Sequence, residues 1–581
     1  MKQFFKITFA CVLGVMIAGL LGTILFFVGI ISTASFSSST FKPSANSVFT
    51  LKLNTLVVER SNDDPFSAIF SELSNEEAPI GLNDIIESID KAAKSDKIVG
   101  IYLNTDGYLS SYPISEAIRN KLAEFKKSGK FVIAYSNNFS QNGYYLSSIA
   151  DSIYLNPVGM LQFDGLTSQT TFFKNALDKL GIEMQVFRVG TFKSAVEPFL
   201  LDKMSTANRE QTQTYMGSMW NTIIKDVAES RYISADSLNA IANMGPSYME
   251  AKEILKTGLI SGLKYQSDML PLLKKLAKTD DISTPDLTKM ISMESEGKIH
   301  NDKIAILYAV GEITDADAQD VIYWENTVKE IDKLKDDESV KAVVLRINSP
   351  GGSAFAAEQI WEAIERLRKV KPVVTSMSTY AASGGYYIAC NSNYIVAEPT
   401  TLTGSIGVFG MIPNASNLLN NKLGINFEQI STNRFGVITV ANPLTDAEKA
   451  LIQRNVEHTY ALFLKRCADG RKMPVDSIAK IAEGRVWSGS DAIRIGLVDK
   501  LGNMQTAIEK AAQLANVEKY SISTYPEEKN MFEKLMDDLS DEATVRMSTR
   551  MLGENYQHIQ VLKYIQSLTP IQARMEDISV R

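Results

Sequence analysis

The residues with the clearest chemical potential here are a serine and a lysine far apart in the chain. Ser383 lies in STYAASGGYYIA, between an apolar run read as a strand (PVVTSMS) and a helix expected to begin at about Gly384. A serine at such a turn sits where the free N–H groups of a helix start favour developing negative charge, the geometry a nucleophile needs. The plain alternative is a serine that merely caps the helix. Upstream, VVLRINSPGG ends in Pro350-Gly351-Gly352. A glycine pair lets backbone N–H groups approach a ligand and point into a pocket. A serine nucleophile also needs a base. His300, His458 and His558 lie far apart, and none has metal-ligand spacing, which argues against Ser-His-Asp or His-rich metal chemistry. Lys193, in FRVGTFKSAVEPF, is the other candidate. A lysine with a pKa of about 10.4 in water is a poor base at neutral pH, but burial can lower that value by several units. Its plain alternative is an ion pair with Glu197, one helical turn on.

What must position these groups is a chain built twice. VFTLKLNTLVV (48–58) is echoed by KIAILYAVGEI (303–313), and GIYLNTDG (100–107) by VVLRINSPGG (343–352). NGYYLSSIADSIYLNPVG (142–159) matches GGYYIACNSNYIVAEPTT (384–401), LGI at 180–182 matches LGI at 423–425, and AKEILKTGLISGL (251–263) answers DAIRIGLVDKLG (491–502). Echoes in constant order and at nearly constant offset indicate a tandem repeat of one α/β unit. Within each unit short β-branched runs alternate with helical patterns. One is AAEQIWEAIERLRKV, whose Ile360, Ile364 and Leu367 form a stripe. Strand, crossover helix and strand in repetition suit mostly parallel sheets with helices outside. The expected organisation is a first unit over 47–265 and a polar connector over 266–300 containing a helix at LPLLKKLAK. A second unit over 301–520 and a charged, helical tail over 521–581 follow.

Chemistry in a duplicated fold shows where the copies differ. The first-half position matching Ser383 is Gln141, and Asp106-Gly107 stands where the second half has Pro350-Gly351-Gly352. Sliding Lys193 onto the second copy lands on Gly436. One half therefore holds the lysine without the serine and the other the serine without the lysine, which argues for one composite site.

Composition bounds the rest. The 581 residues, 45% hydrophobic and 22% charged, are too many for one core and too apolar for disorder. With 34 Gly, 17 Pro and 3 Cys, collagen-like, low-complexity and disulfide-stapled classes are excluded. A net charge of −7 offers no general argument for a nucleic-acid partner. The run 7–31 carries no charge; as a helix it is about 37 Å long, enough to cross a hydrocarbon core of about 30 Å. Lys2 and Lys6 precede it, so the positive-inside bias puts the short N-terminus in the cytoplasm and the rest across the membrane. A Ser-rich spacer, 32–46, follows. Cys11 lies in the apolar run, and Cys390 and Cys467 report little about redox compartment. No acidic cluster has metal-ligand spacing and SPGG precedes no Walker lysine, so no metal or cofactor is expected.

On the motifs RVGTFKSAVEPF (188–199), LRINSPGGS (345–353), YAASGGYYIA (380–389), TLTGSIGVFG (401–410) and WSGSDAIRIGLVDKLG (487–502), the chain resembles the long, two-domain form of the signal peptide peptidase A (protease IV) family. These are membrane-anchored Ser-Lys endopeptidases of the crotonase/Clp-protease-like superfamily. The resemblance runs from the anchor to about residue 502. It implies an α/β fold in which a crotonase/Clp-protease-like unit is duplicated behind a transmembrane helix. It implies Ser383 as nucleophile, Lys193 as general base, Ser405 as the hydroxyl that orients the lysine, and the N–H groups of Gly352 and Gly384 as the oxyanion hole. By the same resemblance the substrates are cleaved signal peptides and other apolar peptides, and four chains form a bowl-shaped homotetramer. The location implied is the bacterial cytoplasmic (inner) membrane, with the catalytic part outside the cytoplasm. Two other readings keep part of this picture: a crotonase-type acyl-CoA enzyme whose glycine pair polarises a thioester, and a non-catalytic membrane scaffold for unfolded chains.

Overall fold

Runs such as IVGIYLN and VKAVVLRINS are apolar without alternation, as expected of strands buried on both faces by crossover helices. The computed structural model bears this out. It describes residues 40–61, 78–294, 300–318, 320–436, 438–527 and 571–575, together with Gly14, Gly19 and Gly22. The apolar run 7–31 lies outside the described residues apart from those three glycines, and among the described residues no helix is long and apolar enough to cross a membrane.

The first half contributes β1 (Ser47–Lys52), β2 (Val57–Val58), β3 (Ile80–Gly81), β4 (Ile98–Asn104), β5 (Phe131–Ser136), β6 (Ser152–Leu155), β7 (Glu183–Arg188) and β8 (Gly262–Leu263). Five of these form a sheet of order β1-β4-β5-β6-β8, parallel throughout. The second half contributes β9 (Lys303–Val310), β10 (Glu312–Thr314), β11 (Val321–Tyr323), β12 (Val340–Ser349), β13 (Gly351–Ser353), β14 (Val373–Ala382) and β15 (Tyr394–Ala397). It continues with β16 (Leu402–Gly404), β17 (Phe409–Asn414), β18 (Val486–Ser488) and β19 (Lys500–Leu501). Beyond the last repeat echo lie β20 (Ser521–Tyr525) and β21 (Ile571–Arg574). The second main sheet runs β18-β16-β14-β12-β9-β20, with β15 on β14.

The duplication is visible element by element. Helices Leu82–Lys94 and Trp324–Asp336 have 13 residues each, Tyr112–Lys126 and Ala354–Arg368 have 15, and Thr206–Arg231 and Asp446–Arg471 have 26. In the helix Ala354–Arg368, Ser353 caps the Ala356 amide and Arg366 and Arg368 sit in the last turn, where cations suit the dipole. Its stripe Ile360, Ile364 and Leu367 is buried as the spacing predicts, each side chain contributing about 1.5–3 kcal/mol of transfer free energy.

Two features position the site. The halves are clamped by a buried ion pair, Arg346 Nε to Glu59 Oε2 at 2.8 Å, and by Thr400 of the second half donating to Glu116 of the first. A third sheet, of order β11-β10-β13-β21-β17-β7, mixes strands from three parts of the chain. Its edge strand β7 leaves the first half to pair antiparallel with β17 over Glu183–Arg188.

The connector and tail differ from expectation. Residues 266–300 hold the helix Met269–Ala277, as read, but also pack on the first sheet, where Val48 and Thr50 amides donate to the carbonyls of Ser283 and Pro285. The charged, helical tail expected from 521 is strand at both described stretches. SISTY, rich in β-branched residues, adds β20 in parallel to β9 and carries the second unit to Tyr525. Residues 528–570 and 576–581 lie outside the described residues.

Candidate active site

Strand β14 ends at Ala382 and the helix Gly384–Ala389 starts two residues later, so Ser383 must turn the chain alone. It does so at φ 55°, ψ −115°, a left-handed conformation that a residue with a Cβ adopts at a cost of about 1–3 kcal/mol and that tends to persist where function holds it. Its amide donates to Gly404 O and its carbonyl accepts from Tyr387 N, both at 2.8 Å. The side chain makes no capping hydrogen bond, which sets aside the capping-serine alternative.

Lys193 arrives from the other half. After β7, Gly190 (φ 102°) lets the chain pass against the backbone of Glu483, whose carbonyl accepts from Phe192 N at 2.9 Å. A Cβ on Gly484 would stand 2.7 Å from Lys193 Cα, and one on Gly407 3.3 Å from Lys193 Cδ, so two glycines leave the room that the lysine stem fills. Lys193 Nζ reaches Ser383 Oγ at 2.8 Å, Ser405 Oγ at 3.2 Å and Ser405 O at 3.3 Å. Ser383 Oγ also lies 3.4 Å from Gly407 O. Lys193 and Ser383 are 1% and 0% exposed. Glu197, the partner in the ion-pair alternative, accepts from the Ser205 amide and hydroxyl and from Asn208.

The two glycines lie beside this group. Gly352 (φ 152°) sits in β13, and a Cβ there would collide with Ile313 O of β10. A Cβ on Gly384 would stand 3.2 Å from the Gly352 nitrogen, so the two backbones pack directly against one another beside Ser383. All five residues singled out in the sequence therefore come together, although they span both repeats. Such a cluster can transfer a proton from a hydroxyl to an amine beside backbone donors, the requirement for acyl transfer.

The matching place in the first half is filled. There Gln141 accepts from the amides of Asp164 and Gly165 and donates to Tyr112, so the duplicated turn is knitted shut by hydrogen bonds. Two supports of the site carry no sequence signal. Gln211 is fully buried, and its amide donates to Phe192 O and Ser194 Oγ and accepts from Val486 N. The Glu483-Gly484-Arg485 turn places a guanidinium 4.6 Å over the Phe192 ring. Both hold the neighbours of Lys193 from distant parts of the chain, and no local spacing signals that.

The pattern of peptidase family S49 matches residues 124–280 and 365–518, and that of the Clp protease family matches 295–400. Protease 4 of Haemophilus influenzae is 33% identical over 585 residues, covering 96% of this chain and 93% of that protein. Protease 4 of Salmonella typhi is 36% identical over 79% of this chain and 76% of its own length. Serine protease SPPA, chloroplastic, of Arabidopsis thaliana is 33% identical over 75% of this chain and 66% of its own length. Both repeats carry the same family pattern, one supplying the lysine and the other the serine: the chain belongs to peptidase family S49.

Proposed function

We propose that this chain is a membrane-anchored serine endopeptidase working through a Ser383–Lys193 dyad on cleaved signal peptides and other apolar peptides. The observation that carries the reading is the 2.8 Å approach of Lys193 Nζ to Ser383 Oγ from opposite repeats in a buried site. Burial is the condition under which a lysine works as a neutral amine. Neutral Lys193 takes the Ser383 proton while Ser405 Oγ and O hold the remaining N–H groups. Oγ attacks the peptide carbonyl, and the Gly352 and Gly384 amides receive the oxyanion. The lysine ammonium then protonates the leaving amine, and water, deprotonated by the same lysine, hydrolyses the ester.

The uncharged run 7–31 supports a single-pass anchor, with both repeats outside the cytoplasm at the bacterial inner membrane. There they would meet the apolar fragments left in the bilayer. Exposed Leu423, Ile425, Phe427, Ile430 and Phe435 on the stretch after β17 support assembly with further copies, as in a homotetramer. No metal or cofactor enters the steps. The test is turnover of an apolar signal-sequence peptide by the purified chain and its Ser383→Ala variant, with an acyl-CoA thioester run in parallel. Peptide turnover lost in the variant, with the thioester untouched by both, supports the reading; peptide turnover retained in Ser383→Ala contradicts it.

A further inference from the structure

The amine and the hydroxyl beside it come from different repeats, and one short turn touches the chain at both. This turn, 482–485, leads into β18. Its Glu483 carbonyl accepts from Phe192 N at 2.9 Å, which fixes the chain just before Lys193. Its Gly484 amide donates to Ile406 O and its Arg485 carbonyl accepts from Ser405 N, both at 2.8 Å, which fixes the chain at Ser405. The last bond extends the antiparallel pairing of β16 with β18, where Gly404 faces Val486 and Thr403 faces Trp487. Two of the residues joined here hold left-handed backbones without being glycine, Glu483 at φ 55° and Ser405 at φ 46°. Such conformations persist only where their surroundings over-determine them.

The Arg485 side chain supplies that constraint. Its guanidinium carbon lies 4.6 Å from the Phe192 ring centroid and 4.7 Å from the Trp487 ring centroid, within the range of cation–π attraction. Its Nη2 reaches Glu210 Oε1 on the helix Thr206–Arg231 at 3.1 Å, while its Nε is buried with no hydrogen-bond partner among the described residues. Phe192 and Glu210 belong to the first repeat and Trp487 to the second, so one cation bridges the boundary beside the base. Trp487 is itself held, because its Nε1 donates to Ile481 O at 3.0 Å. Phe192 immediately precedes Lys193, so whatever seats its ring also sets where the lysine stem begins.

We propose that Arg485 is a positioning residue for the peptidase reaction, its cation on the Phe192 and Trp487 rings locking Lys193 and Ser405 into one register. This rests on the peptidase reading above. Arg485 acts through Phe192 and Ser405, not on the reacting atoms. A lysine stem has several rotatable bonds, so reaching Ser383 Oγ at 2.8 Å and Ser405 Oγ at 3.2 Å requires its root and its targets to be fixed relative to one another. Without the guanidinium, the serine, the amine and the glycine amides all remain in the chain, but the root of the lysine is no longer tied to the turn that holds Ser405. The loss falls on the chemical step and leaves peptide binding in place.

Arg485→Met, which keeps an apolar stem and removes the charge, tests this in the purified full chain. Turnover of an apolar signal-sequence peptide and fluorophosphonate labelling of Ser383 are followed on the same preparations. The variant is expected to show kcat about 10- to 100-fold below wild type with KM within about twofold. Labelling of Ser383 should slow to a similar degree yet reach the same final stoichiometry, whereas a residue that only supports folding would lower the number of sites labelled. Arg485→Lys, which keeps a cation, is expected to recover part of the rate. Phe192→Leu should lower kcat by itself, and adding Arg485→Met to it should cost little more, because the contact they share is already gone. If Arg485→Met does not fold, Phe192→Leu alone carries the labelling test. Unchanged kcat and labelling rate in Arg485→Met overturn the inference. So do a raised KM at constant kcat, fewer labelled sites, an Arg485→Lys variant no faster than Arg485→Met, or fully additive losses in the double variant. Each of these, beside an active wild type, leaves the peptidase reading standing. A wild type that neither hydrolyses the peptide nor labels at Ser383 removes both.

Discussion

Ser383 stands at a helix start with a strained backbone and a side chain that caps nothing, so its hydroxyl is left for Lys193. Removing the amine should be severe: Lys193→Ala is expected to lower kcat by about 100-fold or more, the usual worth of a positioned base, with the far-ultraviolet circular dichroism unchanged. Ser405→Ala leaves base and nucleophile in place but loosens the amine, so a loss of about 10- to 100-fold is expected, mostly in kcat. A base that must be neutral also fixes a sign. The rate should climb toward alkaline pH along a single ionisation, and a flat profile from about pH 5 to 9 would count against the lysine. These side chains were readable in the sequence because histidine is scarce and because each repeat lacks what the other carries. Gln211 was not readable, since its task is to hold the Phe192 carbonyl and the Ser194 hydroxyl on either side of Lys193.

Strand β7 and the turn at Glu483-Gly484 carry the lysine across the boundary between repeats. Gly484 has φ +80°, and a Cβ there would press on Lys193 Cα. Gly484→Ala is therefore expected to displace the amine and lower turnover by about 100-fold, the scale of a 1 Å misplacement, and activity assayed beside a melting curve separates this from unfolding. The repeated strands and helices were readable from apolar runs and helical stripes, and equal helix lengths in the two halves bear that out. The exchange of β7 onto β17 was not, because the paired strands lie more than 200 residues apart and no local pattern specifies their partner. Nor was β21, a four-residue strand whose partners are the far-off β13 and β17.

The boundary between the halves is held by buried charge. Burial pushes Glu398 up to about 8, with Arg346 pulling the value down and Glu59 pushing it up, and both its oxygens are buried without a hydrogen-bond partner. Because the folded value is raised, this group's contribution is complete below its ordinary value of about 4.5 and is lost as pH rises through about 8. Melting temperature should fall across that interval, and Glu398→Gln should flatten the fall; a variant with an unchanged slope would place the titration elsewhere. The general plan of two repeats and a composite site was readable at this level, while the clamp of Glu59 with Arg346 and of Glu116 with Thr400 was not, since charged residues far apart in the chain carry no local signal of their pairing. The composite site itself is tested most directly by labelling the intact chain with a serine-reactive fluorophosphonate and locating the adduct by peptide mass spectrometry. The account predicts one adduct, on Ser383, largely lost in Lys193→Ala although that residue belongs to the other repeat. Labelling at a different serine, or undiminished labelling of Ser383 without the lysine, would contradict it.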